Sequence, residues 1–254
     1  MSVENVTETM IPEKQLTEFV RRLRQAAGEN LLSVILYGSA AGGEFHPEFS
    51  NVNLLCIVHD LSFSVLLSLA PPIDWWTRQK HSAPLILTRD ELERSADVFA
   101  IEFFDMQQRH RLLFGDDVLS SLHIPMHLHK VQLEYELREK LILLRQSAMP
   151  AAGDSKRLWE LLLRSLPAFT TLFRHTLIAF GEPVPESKRS ALQALSARIP
   201  FGPAAFLQVL DIREGKLDRE RLDVGDVFSR YLAAVQQVVA AVDTMLEPTG
   251  PGSS

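Results

Sequence analysis

Tyr37 to Val58 reads Y-G-S-A-A-G-G-E-F-H-P-E-F-S-N-V-N-L-L-C-I-V, and the rest of the chain is best read outward from it. Leu31, Leu32, Val34, Ile35 and Leu36 lead into this stretch as an apolar run of strand length. Gly38 and Ser39 follow at once, and Ala40 onward has the character of a short helical turn. A Gly-Ser step between strand and helix lets backbone amides and a hydroxyl approach a phosphate closely, because glycine carries no side chain and accepts backbone angles that other residues avoid. The eleven residues Ala40 to Ser50 separate this step from Asn51-Val52-Asn53, which opens a second apolar run, Leu54 to Val58. Residues two apart on a strand project to one face, so Asn51 and Asn53 are expected to present two amides side by side.

A Gly-Ser turn followed at this distance by a polar-apolar-polar triplet resembles the signature of the DNA polymerase β-like nucleotidyltransferases. In that family a strand ends in Gly-Ser and the next carries Asp-x-Asp or Asp-x-Glu. The resemblance implies a small mixed β-sheet head with flanking helices, built to transfer a nucleotide. The family's paired carboxylates anchor magnesium, which neutralises the triphosphate and aligns the attacking and leaving oxygens. Asn51 and Asn53 keep the shape and an oxygen ligand but remove the charge. At an effective dielectric near 20, one charge pair about 4 Å apart is worth roughly 4 kcal/mol. Losing ~4 kcal/mol from a transition state slows a reaction on the order of a thousandfold.

The resemblance also implies a third carboxylate on a later strand, set between apolar residues, which activates the acceptor hydroxyl as a general base. Glu102, between Ile101 and Phe103, fits that description, with Asp105 as its competitor. The expected site is therefore Gly38, Ser39, Asn51 and Asn53 for the nucleotide and Glu102 for catalysis, with no metal ligands. Magnesium is expected to bind weakly, if a nucleoside triphosphate brings it. The functional expectation is an attenuated or inactive relative that binds a nucleotide or a protein partner. The alternative is an active enzyme that moves a nucleoside monophosphate from a triphosphate to a small-molecule or protein hydroxyl.

The chain changes character near Pro125. Before it, apolar runs around Ile35, Leu55, Leu85 and Phe103 alternate with helical stretches such as Glu13–Ala27 and Met106–Phe114, an α/β pattern. After it, Leu133, Leu137, Leu141 and Leu144 form one helical stripe. Val224, Phe228, Tyr231, Val235, Val238, Val242 and Met245 form another. The expected organisation is a nucleotidyltransferase-like domain over 1–122, an all-α bundle over 123–247 and a frayed Pro/Gly/Ser tail over 248–254. A small head followed by a helical bundle is similar to the layout of the aminoglycoside nucleotidyltransferases.

Composition narrows the class further. With 254 residues and 46% hydrophobic content the chain can build a sizeable core. A net charge of −6 argues against general nucleic-acid binding, which needs a basic surface. No apolar run approaches the length of a membrane span, and the polar, acidic start M-S-V-E-N-V-T-E lacks a signal's apolar core, so a cytoplasmic location is expected. The single Cys56 falls mid-strand and reads as a small buried hydrophobe.

Four weaker signals have ordinary readings. Arg157, Glu160, Arg164, Thr171 and Arg174 recur at helical spacing, most simply as a solvated face around a Pro167 kink. His123, His127 and His129 lack an acid or cysteine to complete a zinc set. Trp75 and Trp76 could stack on a base but more often such a pair packs a core. Asp116 and Asp117 after Gly115 read as a helix stop and the cap of the next element.

Overall fold

The computed structural model describes residues 12–42, 51–185 and 187–246. The expected tail at 248–254 lies outside them, as does most of the stretch between the Gly-Ser step and Asn51. The chain divides into two compact units between Pro125 and Met126.

The first unit is a four-stranded mixed sheet in the order β3-β2-β1-β4. Its strands are β1 (Leu31–Tyr37), β2 (Asn53–Val58), β3 (Leu85–Thr88) and β4 (His110–Gly115). β1 pairs antiparallel with both β2 and β4, and β3 lies parallel to β2. Alternation along β1 and β2 divides the core between the two faces. Val34, Leu36, Leu54, Cys56 and Val58 face the helices α1 (Glu13–Ala27) and α2 (Phe63–Arg78), meeting Leu16, Phe19, Leu23 and Trp76. Ile35, Leu55 and Ile57 face the other way, against Leu92 of α3 (Arg89–Arg94), Phe103 and Met106 of α4 (Ala100–Gln108), and the turn Val118–Leu122. Cys56 is fully buried and its thiol is pushed up to about 12 by burial, as an inert core residue should be.

Two expectations for this unit exchange places. The run around Phe103 is a helix, and the stretch expected to be helical, 106–114, contains the fourth strand. Ala100, Phe103 and Met106 recur every third residue and all are buried, which only a helix achieves here. His110–Gly115 instead fills the open edge of β1, so its backbone groups pair with Ser33–Tyr37. Gly115 therefore ends a strand, not a helix. Its φ of +76° suits glycine, and a Cβ there would lie 1.8 Å from the Leu32 carbonyl oxygen.

Trp76 is wholly interior. Its ring stacks on His81 at 4.0 Å and lies 4.7 Å from Phe19, while its indole N–H donates to the Ser82 carbonyl at 2.9 Å. Trp75 is half-buried beneath the Arg22 guanidinium, 4.5 Å from the ring centre. The pair packs a helix against the core and offers no open stacking platform on Trp76.

The second unit is all helix: α5 (His129–Ala148), α6 (Ser155–Ala179), α7 (Lys188–Arg198), α8 (Ala204–Arg213) and α9 (Val224–Leu246). α6 is buried on most sides, which explains its nearly continuous apolar sequence, and Asp154 caps its first turn by accepting from the Lys156 and Arg157 amides. Phe169 and Phe173 of α6 meet Phe206 of α8, whose ring stacks on Tyr231 of α9 at 3.9 Å. The stripe Leu133, Leu137, Leu141 and Leu144 is buried as expected, as are Val224, Tyr231, Val235, Val238 and Val242, with Phe228 and Met245 half-buried. The arginine-bearing face of α6 is not uniform. Arg157 and Arg164 are exposed, whereas Arg174 is buried. His129 belongs to the interior too, its Nε2 lying 2.8 Å from Nδ1 of His175, and no cluster of metal-binding side chains occurs among the described residues.

Candidate functional site

The Gly-Ser step lies where β1 meets the next two strands of the sheet. Tyr37, the last residue of β1, pairs with Asn53 on one side and His110 on the other. Gly38–Ala40 then forms a single 3-10 turn, closed by the Ala41 and Gly42 amides donating to the Gly38 carbonyl at 3.0 Å each. Gly38 has a φ of +78°, and a Cβ on it would meet the Asn53 amide nitrogen at 3.4 Å. The structure thus brings Gly38, Ser39 and Asn53 together. Asn51 lies two residues ahead of Asn53, exposed, on the approach to β2.

Glu102 does not lie on a strand. It occupies the first turn of α4 and is half-buried, between the buried Ile101 and Phe103. The helix places it over the sheet face that carries Ile35, Leu55 and Ile57, and alternation assigns Asn53 to that same face. The strands on either side of the β1–β2 pair are Leu85–Thr88 and His110–Gly115, and neither contains an Asp or Glu.

This donor set does not fit a magnesium pair. A hard cation of that size needs anionic oxygens, and here the two central positions are amides while the flanking strands carry no carboxylate. The acids that follow β4 are otherwise engaged. Asp117 accepts from the Ser120 amide at 3.1 Å and hydroxyl at 2.6 Å, and its Oδ1 lies 3.0 Å from Nε2 of His110. Partial burial pushes its pKa up, but the bonds from Ser120 and His110 outweigh this and hold the carboxyl below the usual carboxylate range. A depressed carboxylate contributes stability that is full above the unfolded pKa near 3.9 and is lost as pH falls through the lower folded value. Acid titration of the fold should therefore show a smaller loss of stability below about pH 4 in Asp117→Asn than in the unaltered protein. Equal pH profiles for the two proteins would remove Asp117 from the acid response. Asp116 has a different role: its carbonyl accepts from the Ser33 hydroxyl at 2.7 Å and its carboxylate meets Arg89 at 3.4 Å.

Arg109 is the residue at this site that sequence reading passed over. It precedes β4, its carbonyl accepts from the Gly38 amide at 3.0 Å, and its Cδ lies 3.0 Å from where a Cβ on Gly42 would be. A polar residue expected in the middle of a helix gave no reason to place it beside the turn; the β4 pairing does.

The architecture now has a counterpart among solved structures. The fold is nucleotidyltransferase-like. The spectinomycin adenyltransferase AAD(9) of Enterococcus faecialis, solved with ATP and spectinomycin, superposes with a TM-score of 0.52 at 14% identity, covering 89% of this chain and 98% of that one. A nucleotidyltransferase-like protein from Exiguobacterium sibiricum gives a TM-score of 0.35 at 13% identity, over 91% of this chain and 76% of that one. No family model and none of the curated proteins matches the sequence. Identity this low makes the likeness one of fold.

Proposed function

We propose that this protein binds a nucleoside triphosphate at Gly38, Ser39, Asn51 and Asn53, with transferase activity attenuated or lost. The observation that carries the reading is the position of Asn53 beside the Gly38 turn, its amide nitrogen 3.4 Å from where a Cβ on Gly38 would lie. The sheet position that meets the phosphate-type turn holds an amide, and β3 and β4 add no acid. An amide can donate to a phosphate oxygen, whereas a carboxylate there would repel it unless a cation stood between them. The site suits a phosphate directly and a metal-bridged phosphate poorly. Glu102 stays the candidate base for any residual transfer, acting from α4.

Titration calorimetry with ATP, GTP, CTP and UTP, each with and without magnesium, tests the reading. ATP comes first because the structural counterpart was solved with it. The expected result is weak binding of at least one triphosphate that changes by less than about threefold on adding magnesium, since each missing carboxylate removes roughly 8 kcal/mol of favourable interaction with a divalent ion, before desolvation. Tight, strictly magnesium-dependent binding would overturn it.

A further inference from the structure

We propose that the outer face of α2 is a homodimer interface, on which a second copy of this chain packs its own α2 antiparallel across a two-fold axis. The inference is independent of the nucleotide-binding reading and starts from the two sides of α2. Leu69, Pro72 and Trp76 face the core and are buried. Phe63, Leu66, Leu67, Ala70 and Pro71 recur at steps of three and four on the opposite side. All five are exposed, Phe63 by 75%, Leu66 by 46% and Leu67 by 59%. A helix apolar on both sides is ordinarily covered on both. α1, on the same face of the sheet, shows the usual alternative, since it turns Glu13, Lys14, Arg21 and Arg24 to solvent.

Charge selects the occupant. The chain carries a net −6, so two copies repel over most of their surfaces. No charged residue occurs from Leu61 to Ile73, which makes this face the place where like-charged copies meet at the lowest electrostatic cost. The two ends of the helix are complementary. Asp60 stands exposed just before α2; at the far end Arg78 is paired with Asp74 at 2.9 Å, and the exposed Lys80 adds a further positive charge. An isologous, antiparallel pairing therefore turns each Asp60 toward the partner's Lys80. An anionic bilayer would instead draw on lysines or arginines along the flanks of the helix, and α2 has none before Arg78. A standard interface covers about 800 Å² per partner, more than five side chains of one helix supply. The association is accordingly reversible, with a Kd on the order of micromolar.

Sedimentation velocity of the full chain from about 1 to 200 µM, a span that brackets a micromolar Kd, tests the proposal. The unaltered protein should pass from monomer to dimer over that range. Phe63→Lys and Leu67→Lys should each weaken the dimer about thirtyfold or more, as charging a central contact does. Val131→Lys, which charges a position on α5 that is also 59% exposed, should leave the dimer unchanged. All three positions face solvent, so Tm should stay within a few degrees of the unaltered value. Should a lysine variant melt well below that, Leu67→Ser gives the same reading without adding charge. A monomer at every concentration overturns the proposal, as does a dimer that survives both α2 substitutions. A monomer that cosediments with phosphatidylglycerol vesicles assigns the face to a bilayer and overturns it too.

Discussion

The double substitution Asn51→Asp and Asn53→Asp should convert magnesium-independent nucleotide binding into magnesium-dependent binding. The changes are nearly isosteric. Asn51 is exposed and Asn53 half-buried at the mouth of β2, so the core is not repacked. Each new carboxylate faces a divalent ion with an attraction of roughly 8 kcal/mol at 4 Å and an effective dielectric near 20, twice the value for a unit charge. Desolvation and ion hydration offset much of it, but a net gain of even a few kcal/mol moves affinity by about a hundredfold. Without the metal the two acids repel each other and any phosphate, so triphosphate binding should weaken and the melting temperature should fall slightly. With magnesium and ATP at about a hundred times the dissociation constant, linkage returns roughly 2.7 kcal/mol. For a chain of this size that is on the order of 5–10 °C in Tm. Thermal melts of both proteins, with and without magnesium and ATP, make the comparison. A double mutant with no metal-dependent stabilisation would mean that these side chains do not face a metal position, and the family resemblance would then fail at the residues that carried it.

The same pair shows what sequence reading could reach. β1, the Gly38 turn and β2 were legible because the signal is local: apolar runs of strand length, a glycine where positive φ is required, and a polar pair at period two. The helices after Pro125 were legible from their stripes of leucine and valine. The segment 97–115 was not. Glu102 sits between apolar neighbours, which looks the same in a strand and in the first turn of a buried helix, and only the third-residue recurrence of Ala100, Phe103 and Met106 separates the two. β4 reads H-R-L-L-F-G and has no clean alternation, because none of its residues is fully buried, Leu112 is exposed, and its register against β1 shifts between Val34 and Ile35. A strand set by an open partner edge is a tertiary fact. Arg109 was lost with it, since its place beside Gly38 depends on β4 pairing with β1.

That pairing has its own critical residue. Gly115→Ala should be among the most destabilising single changes available in the first unit. Two costs add. A φ of +76° costs an alanine roughly 1–2 kcal/mol on conformational grounds alone. The Cβ would then stand 1.8 Å from the Leu32 carbonyl oxygen and 2.8 Å from its carbon. Those are backbone atoms of β1, so no rotamer change relieves the overlap; either β4 peels from β1 at this end or the bulged register extends. Ser33 pairs with Gly115 and also donates to the Asp116 carbonyl, so both bonds are strained by the same shift. Gly215→Ala provides the internal control. Its φ of +68° carries the same conformational cost, but nothing lies within 4 Å of the added methyl. The expected outcome is a loss of about 1 kcal/mol for Gly215→Ala and of roughly 3 kcal/mol or more for Gly115→Ala, read from denaturant midpoints. Equal losses would show that the overlap relaxes without cost, and that the β1–β4 edge is softer than its pairing implies.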